Sequence, residues 1–104
     1  GRRDFFAHKP GAAVAVARRA GNVASVDVLN KYFTLAQMPV VSSSYWNVVF
    51  GQTPDEVMRD LEGLQILRNL GRNMAWLMKC IEAGRAQGVL APEREHGAVT
   101  NFIR

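Results

Sequence analysis

Residues 12–17, Ala-Ala-Val-Ala-Val-Ala, make an unbroken apolar run of small and β-branched side chains. A half-exposed strand alternates apolar and polar positions, whereas a continuous run belongs to a strand covered on both faces, as in parallel sheets. Pro10-Gly11 marks a turn just before it, so a strand is predicted over 11–19. Val26, Leu29, Phe33 and Ala36 then recur three or four apart and form the apolar face of a helix over 23–37. Asn22 or Ser25 can cap its start, and Pro39 ends it, because the residue before a proline resists helical geometry. Val40–Ser43 begins a second strand, placed over 39–44.

A longer helix follows over 54–84. Thr53 with Glu56 forms a capping box, and Pro54 suits the first helical position. Val57, Leu61, Leu64, Leu67, Leu70, Met74, Met78 and Ile81 step by three or four, and Gly84 reads as the stop. A break or bend is expected near Gly63 or Gly71, since glycine weakens a helix interior. The tail, 85–104, is polar, punctuated by Gly88, Pro92 and Gly97, and expected to be extended. Its Val99, Phe102 and Ile103 call for cover.

Strand, helix and strand in this order imply parallel strands with a right-handed crossover. Two such strands and two helices do not close a domain, because a two-stranded sheet is marginal and a parallel one needs helices on both faces. The reading is therefore an α/β chain, βαβα plus an extended tail, that amounts to half of a doubly wound parallel sheet. It is incomplete as a single domain, and its missing strands are expected from an absent N-terminal segment or another chain.

Composition narrows the function classes. The 104 residues allow one small domain, and 48% hydrophobic with 21% charged content is that of a globular chain. The net charge is +4, but the 13 Lys and Arg are scattered, with tight pairs only at Arg2-Arg3 and Arg18-Arg19. No clustered stripe of the kind that binds nucleic acid is present. A single cysteine, Cys80, excludes an internal disulfide framework and suits a reducing, cytoplasmic setting. No apolar run approaches the roughly 20 residues that span a bilayer. The start, "GRRDFFAHKPG", has no initiator Met and no signal-peptide core, which reads as a processed, trimmed or internal start.

Candidate chemistry is sparse. His8 and His96 stand far apart without ligand partners at metal spacing, and are read as surface groups. Asp60 and Glu62 are read as solvated, and Cys80, among apolar neighbours, as a buried, inert thiol. No catalytic residue and no metal ligand is assigned. Ligands of open α/β sheets bind outside the carboxyl ends of the parallel strands. On this reading the rim is built by two loops, "ARRAGN" at 17–22 and "SSSYWN" at 42–47. Gly21 permits close backbone approach, the next helix start offers free amides, and Tyr45 and Trp46 offer flat faces with polar tips. From these residues alone the plainer role, a turn and two aromatics capping the core's edge, is favoured.

"KPGAAVAVARRAG", the "SSSYWN" loop, "LGRNMAWLMKCIEAG" and the closing "TNFIR" resemble the NAD(P)H-dependent FMN reductase family, in its iron–sulfur-flavoprotein-like branch. The resemblance runs from about Lys9 to Arg104, and "GRNMAW" with "YWN" carries it. It implies a flavodoxin-like fold of which this chain is the C-terminal half, with hydride transfer from NAD(P)H to FMN and electrons passed to an unknown acceptor. The family's phosphate-binding loop has no counterpart here, and the branch's cluster cysteines lie upstream; Cys80 alone cannot hold a cluster.

The resemblance implies a cofactor-binding set of Arg18, Arg19, Gly21, Asn22, Ser44, Tyr45, Trp46 and Asn47. The amides of 18–22 would bond the flavin's pyrimidine edge, and Arg18 or Arg19 would favour electron-rich flavin or a nicotinamide phosphate. Exposed ion pairing is an equal alternative for the two arginines. Flavins in this family often sit near a subunit boundary, so Tyr45 and Trp46 would face a flavin held by a neighbour in a homo-oligomer. Met74, Trp76 and Met78 suit either an oligomer surface or core packing, with core packing favoured. The alternative function is a non-enzymatic assembly module that binds no flavin.

Overall fold

The computed structural model describes residues 2–102, with side chains from Asp4 onward. Ile103 and the side chains of the Arg2-Arg3 pair lie outside the described residues. A short 3₁₀ turn at Arg2–Phe5 precedes β1 (Ala15–Ala17), α1 (Asn22–Leu35), β2 (Val48–Phe50), α2 (Pro54–Arg59) and α3 (Leu61–Ala86). β1 and β2 are parallel neighbours, with Ala15 opposite Val48, Val16 opposite Val49 and Ala17 opposite Phe50. The chain is thus mixed α/β, with a two-stranded parallel sheet among the described residues.

The strands are shorter than the sequence suggests, and the second is displaced. Gly11 and Val40 form an isolated parallel bridge, and the ladder resumes only at Ala15 and Val48. Four steps on the first strand match eight on the second, so four extra residues loop out between the two contacts. The segment expected as a strand over 39–44 therefore pairs with its neighbour only at Gly11, which donates to the Pro39 carbonyl at 2.9 Å and accepts from Val41 N–H at 2.8 Å. Ala15 N–H donates to the Asn47 carbonyl at 3.1 Å, and Asn47 Nδ2 donates to the Ala13 carbonyl at 3.1 Å, which pins the later register.

Helix ends follow local chemistry. α1 closes with Gln37 at φ 59°, while Met38 N–H bonds the Phe33 carbonyl at 2.9 Å and Gln37 N–H bonds Thr34 at 3.2 Å. This is a Schellman motif, and Pro39 follows it. Thr53 caps α2 as its spacing predicts, Oγ1 accepting from Glu56 N–H at 3.3 Å. Glu56 reaches back one residue further than a capping box requires, to Gln52 N–H at 2.6 Å. α3 runs past Gly84 and ends at Ala86, with Gly88 in the left-handed region at φ 86°. Gly88 rather than Gly84 is the stop, because the turn needs positive φ there.

The break in the long helical segment falls at Asp60, not at Gly63 or Gly71. Asp60 ends α2 and caps α3. Its Oδ1 accepts from Gly63 N–H at 2.9 Å, and its Oδ2 from Phe50 N–H at 2.8 Å. It is half-buried and structural rather than solvated. A side chain at Gly63 would run into this carboxylate, whereas Gly71 has open space before it.

The core is small: Ala13, Val26, Val41, Val48, Val49, Ile66 and Leu70, with Val49 fully buried. α1 packs on both strands, while α2 and α3 pack on β2. Ala13, just before β1, is buried, but Val14 is 41% and Val16 56% exposed, so the valine face expected to be covered lies open. The molecule is a slab of 50 × 47 × 21 Å with a radius of gyration of 17.4 Å, against about 13 Å for a compact domain of this length.

Asp60→Ala is expected to lower stability by about 2 kcal/mol, since it removes a cap and a charged hydrogen bond together. Gly63→Ala should destabilise as well, against its helix propensity, while Gly71→Ala should stabilise by up to about 1 kcal/mol. Urea unfolding midpoints of the three variants check this.

Candidate functional site

The carboxyl end of β1 opens into an exposed turn, residues 18–21, that enters α1. Gly21 occupies the N-cap at φ 91°, a backbone conformation natural to glycine. A Cβ there would meet nothing within 4 Å, so open space lies before the turn. No side chain caps the start of α1. Its first helical bond is Ser25 N–H to the Gly21 carbonyl at 3.0 Å, and Val23 N–H is taken by Asn22 Oδ1, which leaves the Asn22 and Ala24 amides to an outside acceptor. Arg18 and Arg19 are exposed, and neither has an ion-pair partner among the described residues.

The side chain of Asn22 does not belong to this rim. It is buried, its Nδ2 donating to the Val49 carbonyl at 3.5 Å and its Oδ1 accepting from Val23 N–H at 3.1 Å. The side chain ties the start of α1 to β2. Its polarity marked it as a candidate ligand group; its place beneath the turn makes it a tether.

Ser44, Tyr45, Trp46 and Asn47 lie elsewhere. They precede β2, in the excursion between the Val40 bridge and Val48. The register sets Asn47 opposite Val14 and Gly51 opposite Arg18. Four residues of extended chain, roughly 13 Å, therefore separate the two groups along the sheet. The neighbour of the Arg18–Gly21 turn is the segment after β2, beginning at Gly51, whose N–H donates to the Ala17 carbonyl at 3.0 Å.

The serines dock this excursion on α3. Ser43 Oγ donates to the Ile66 carbonyl at 2.6 Å, Asn69 Nδ2 to Ser44 Oγ at 3.1 Å, and Asn73 Nδ2 to the Ser42 carbonyl at 2.8 Å. The three contacts climb α3 at three- and four-residue steps, along one face. Tyr45 and Trp46 pack edge to face with centroids 4.7 Å apart, each 54% exposed. Tyr45 borders a groove of about 290 Å³ with Phe50, Asp60, Glu62 and Ile66. Asn47 is buried, and its Oδ1 has no partner.

The Arg18–Gly21 turn offers an acceptor open space, the Asn22 and Ala24 amides and two exposed cations. Tyr45 and Trp46 precede β2 in the chain, and the groove that Tyr45 borders with Phe50, Asp60 and Ile66 does not include the turn. No known protein family, curated protein or solved structure matches the chain.

Two further features escaped the sequence reading. Cys80 is exposed, not buried. With Leu77, Ile81, Met38, Pro39 and Leu90 it lines an open, apolar cleft of about 670 Å³. His8 and His96, remote in sequence, border one open hollow of about 410 Å³ with Asp4, Gln37 and Arg94. Among the described residues no three ligating side chains gather as a metal site, and no helix is long and apolar enough to cross a membrane.

Asn69→Ala and Asn73→Ala are each expected to cost about 1 kcal/mol, the net worth of one hydrogen bond. Both should loosen the excursion, read as faster iodide quenching of Trp46 in a Trp76→Phe background.

Proposed function

We propose that this chain forms part of an FMN-dependent oxidoreductase, a flavodoxin-like protein that takes electrons from NAD(P)H and hands them to a further acceptor. The observation that carries this reading is the exposed Arg18–Gly21 turn at the carboxyl end of a parallel strand, opening on an uncapped helix start. Open α/β sheets bind ligands at that edge. The resemblance of "KPGAAVAVARRAG" and "LGRNMAWLMKCIEAG" to FMN reductases supports the same reading.

FMN, when bound, supplies the hydride acceptor and the route for electrons onward. The chain's own residues supply position and charge. Free amides at the turn donate to carbonyl acceptors on a flat ring edge, and Gly21, without a Cβ, lets that edge approach the backbone. Arg18 and Arg19 place positive charge where electron-rich flavin or a nicotinamide phosphate would gain it. Tyr45 and Trp46 then serve a ligand only from a neighbouring subunit, since their own sheet sets them apart from the turn.

Assembly without flavin is the second reading. It is favoured by the open edge of β1, where Ala15 and Ala17 bond β2 and Val16 presents its backbone groups outward.

A titration of ¹⁵N-labelled chain with FMN decides between them. Shifts confined to the amides of residues 18–24, with affinity weaker than about 1 µM, are expected. Arg18→Ala with Arg19→Ala should reduce that affinity several-fold. Unchanged spectra at about 1 mM FMN would sink the flavin reading. Sub-micromolar affinity would show that the chain holds the phosphate by itself, against the proposal's division of the site.

A further inference from the structure

The last 16 residues of α3, about 24 Å of helix, follow Leu70, its last buried residue. Trp76 and Met78 are 66% and 54% exposed, so the core packing expected of them does not hold. Leu77, Cys80 and Ile81, on the same stretch, floor the open cleft of about 670 Å³. Met38 and Pro39, from the turn after α1, make one wall. The chain itself makes the other: Val89, Leu90, Ala91 and Pro92, the segment that follows the helix.

This segment is a strap fixed at both ends. Behind it, Gly88 stands in the left-handed region at φ 86°, and Val89 N–H donates to the Gly84 carbonyl at 2.9 Å. Ahead of it, Arg94 Nη1 pairs with Asp4 Oδ1 at 3.6 Å, which ties the strap to the N-terminal turn. Sequence and cavities change character at the same place. The apolar residues 89–92 line the apolar cleft, and Glu93, Arg94 and His96 then line the neighbouring hollow of about 410 Å³. Glycine at position 84 suits this arrangement. A Cβ there would stand 3.7 Å from Val89 Cβ, so a longer side chain would enter the space between strap and helix.

We propose that this strap is a lid, which closes by seating Val89 and Leu90 in the cleft over Leu77, Cys80 and Ile81. The proposal does not rest on the flavin reading. Val89 and Leu90 are each 71% exposed, so the structure holds the lid raised. Lowering it takes apolar surface out of water on both sides of the cleft. The two fixed ends reduce the entropy lost, because only the residues between Gly88 and Arg94 are left to order. Gly88 supplies the hinge, since a Cβ there would meet nothing within 4 Å and glycine moves between left- and right-handed φ without steric penalty. The latch is electrostatic. The Arg94 and Asp4 side chains are 38% and 40% exposed, so salt screens their pairing and loosens the far end of the lid. Salt does not weaken apolar burial, so opening with salt is the mark of the latch.

Cys80, on the cleft floor, reports the lid's position. The test is its rate of labelling in the 104-residue chain by N-ethylmaleimide, an uncharged reagent, at about 0.02 M and about 0.5 M NaCl. At low salt, Val89→Ser with Leu90→Ser should raise the rate roughly tenfold, because a closed lid protects in proportion to its population. Arg94→Ala should raise it about two- to fivefold, the range of an exposed ion pair. Added salt should speed labelling of the wild-type chain by a similar factor and leave Arg94→Ala unchanged. Val89, Leu90 and Arg94 are all exposed, so circular dichroism should show unchanged helix. Leu90→Cys is the second variant. In a glutathione disulfide buffer it should pair with Cys80 inside one chain, read by mass spectrometry as a monomer without free thiols. Wild-type labelling as fast as that of the serine variant overturns the proposal. So does a Leu90→Cys variant that links chains in pairs, which would seat the strap of one copy on the cleft of another.

Discussion

The carboxylate of Asp60 holds two elements that the chain would otherwise leave to diverge. One oxygen takes the outward N–H of Phe50 at the end of β2, and the other takes Gly63 N–H in the first turn of α3. A strand edge and a helix start each carry unsatisfied donors, and a single acceptor with two oxygens serves both. Gly63 makes this possible by having no side chain where the carboxylate sits. From that anchor α3 crosses β2, and Ser42–Ser44 hold its following turns.

The anchor also makes the sheet asymmetric. The outer edge of β2 is engaged by Asp60 at Phe50, while β1 presents Val16 without a neighbour. Extension of the sheet therefore has one direction, beyond β1. The second open surface arises at the far end of the same helix. A 26-residue α3, about 39 Å long, cannot be covered by strands of three residues each. Both surfaces express one constraint: the chain makes more apolar surface than its own core can bury.

Particular residues show how much was legible in the sequence. The Thr53 cap, the parallel crossover and the Val26 face of α1 were readable, since each depends on neighbours within about four positions or on a general topological rule. Val40–Val41 and Val48–Val49 are equally β-like runs, and local pattern offers no basis for choosing between them. The choice is made by Asn47, whose backbone and side chain both bond the first strand. Displacing the strand put Ser44–Asn47 before β2 rather than after a strand, whereas Arg18, Arg19 and Gly21 follow β1. Asn22 and Asp60 look like surface polar groups in any linear reading, yet both are ties between distant elements.

By itself the sequence determined the α/β class, the alternation of strands and helices, the starts of α1 and α2 and the apolar stripe of the long helix. These follow from propensity, capping and periodicity, which act along the chain. Tertiary structure alone decided the strand register, the docking of the serine loop, the exposure of Cys80 and Trp76, and the separation of the two aromatics from the Arg18–Gly21 turn. Each depends on groups brought together from more than twenty residues apart, or on where the sheet runs out beneath a helix. No local pattern records either.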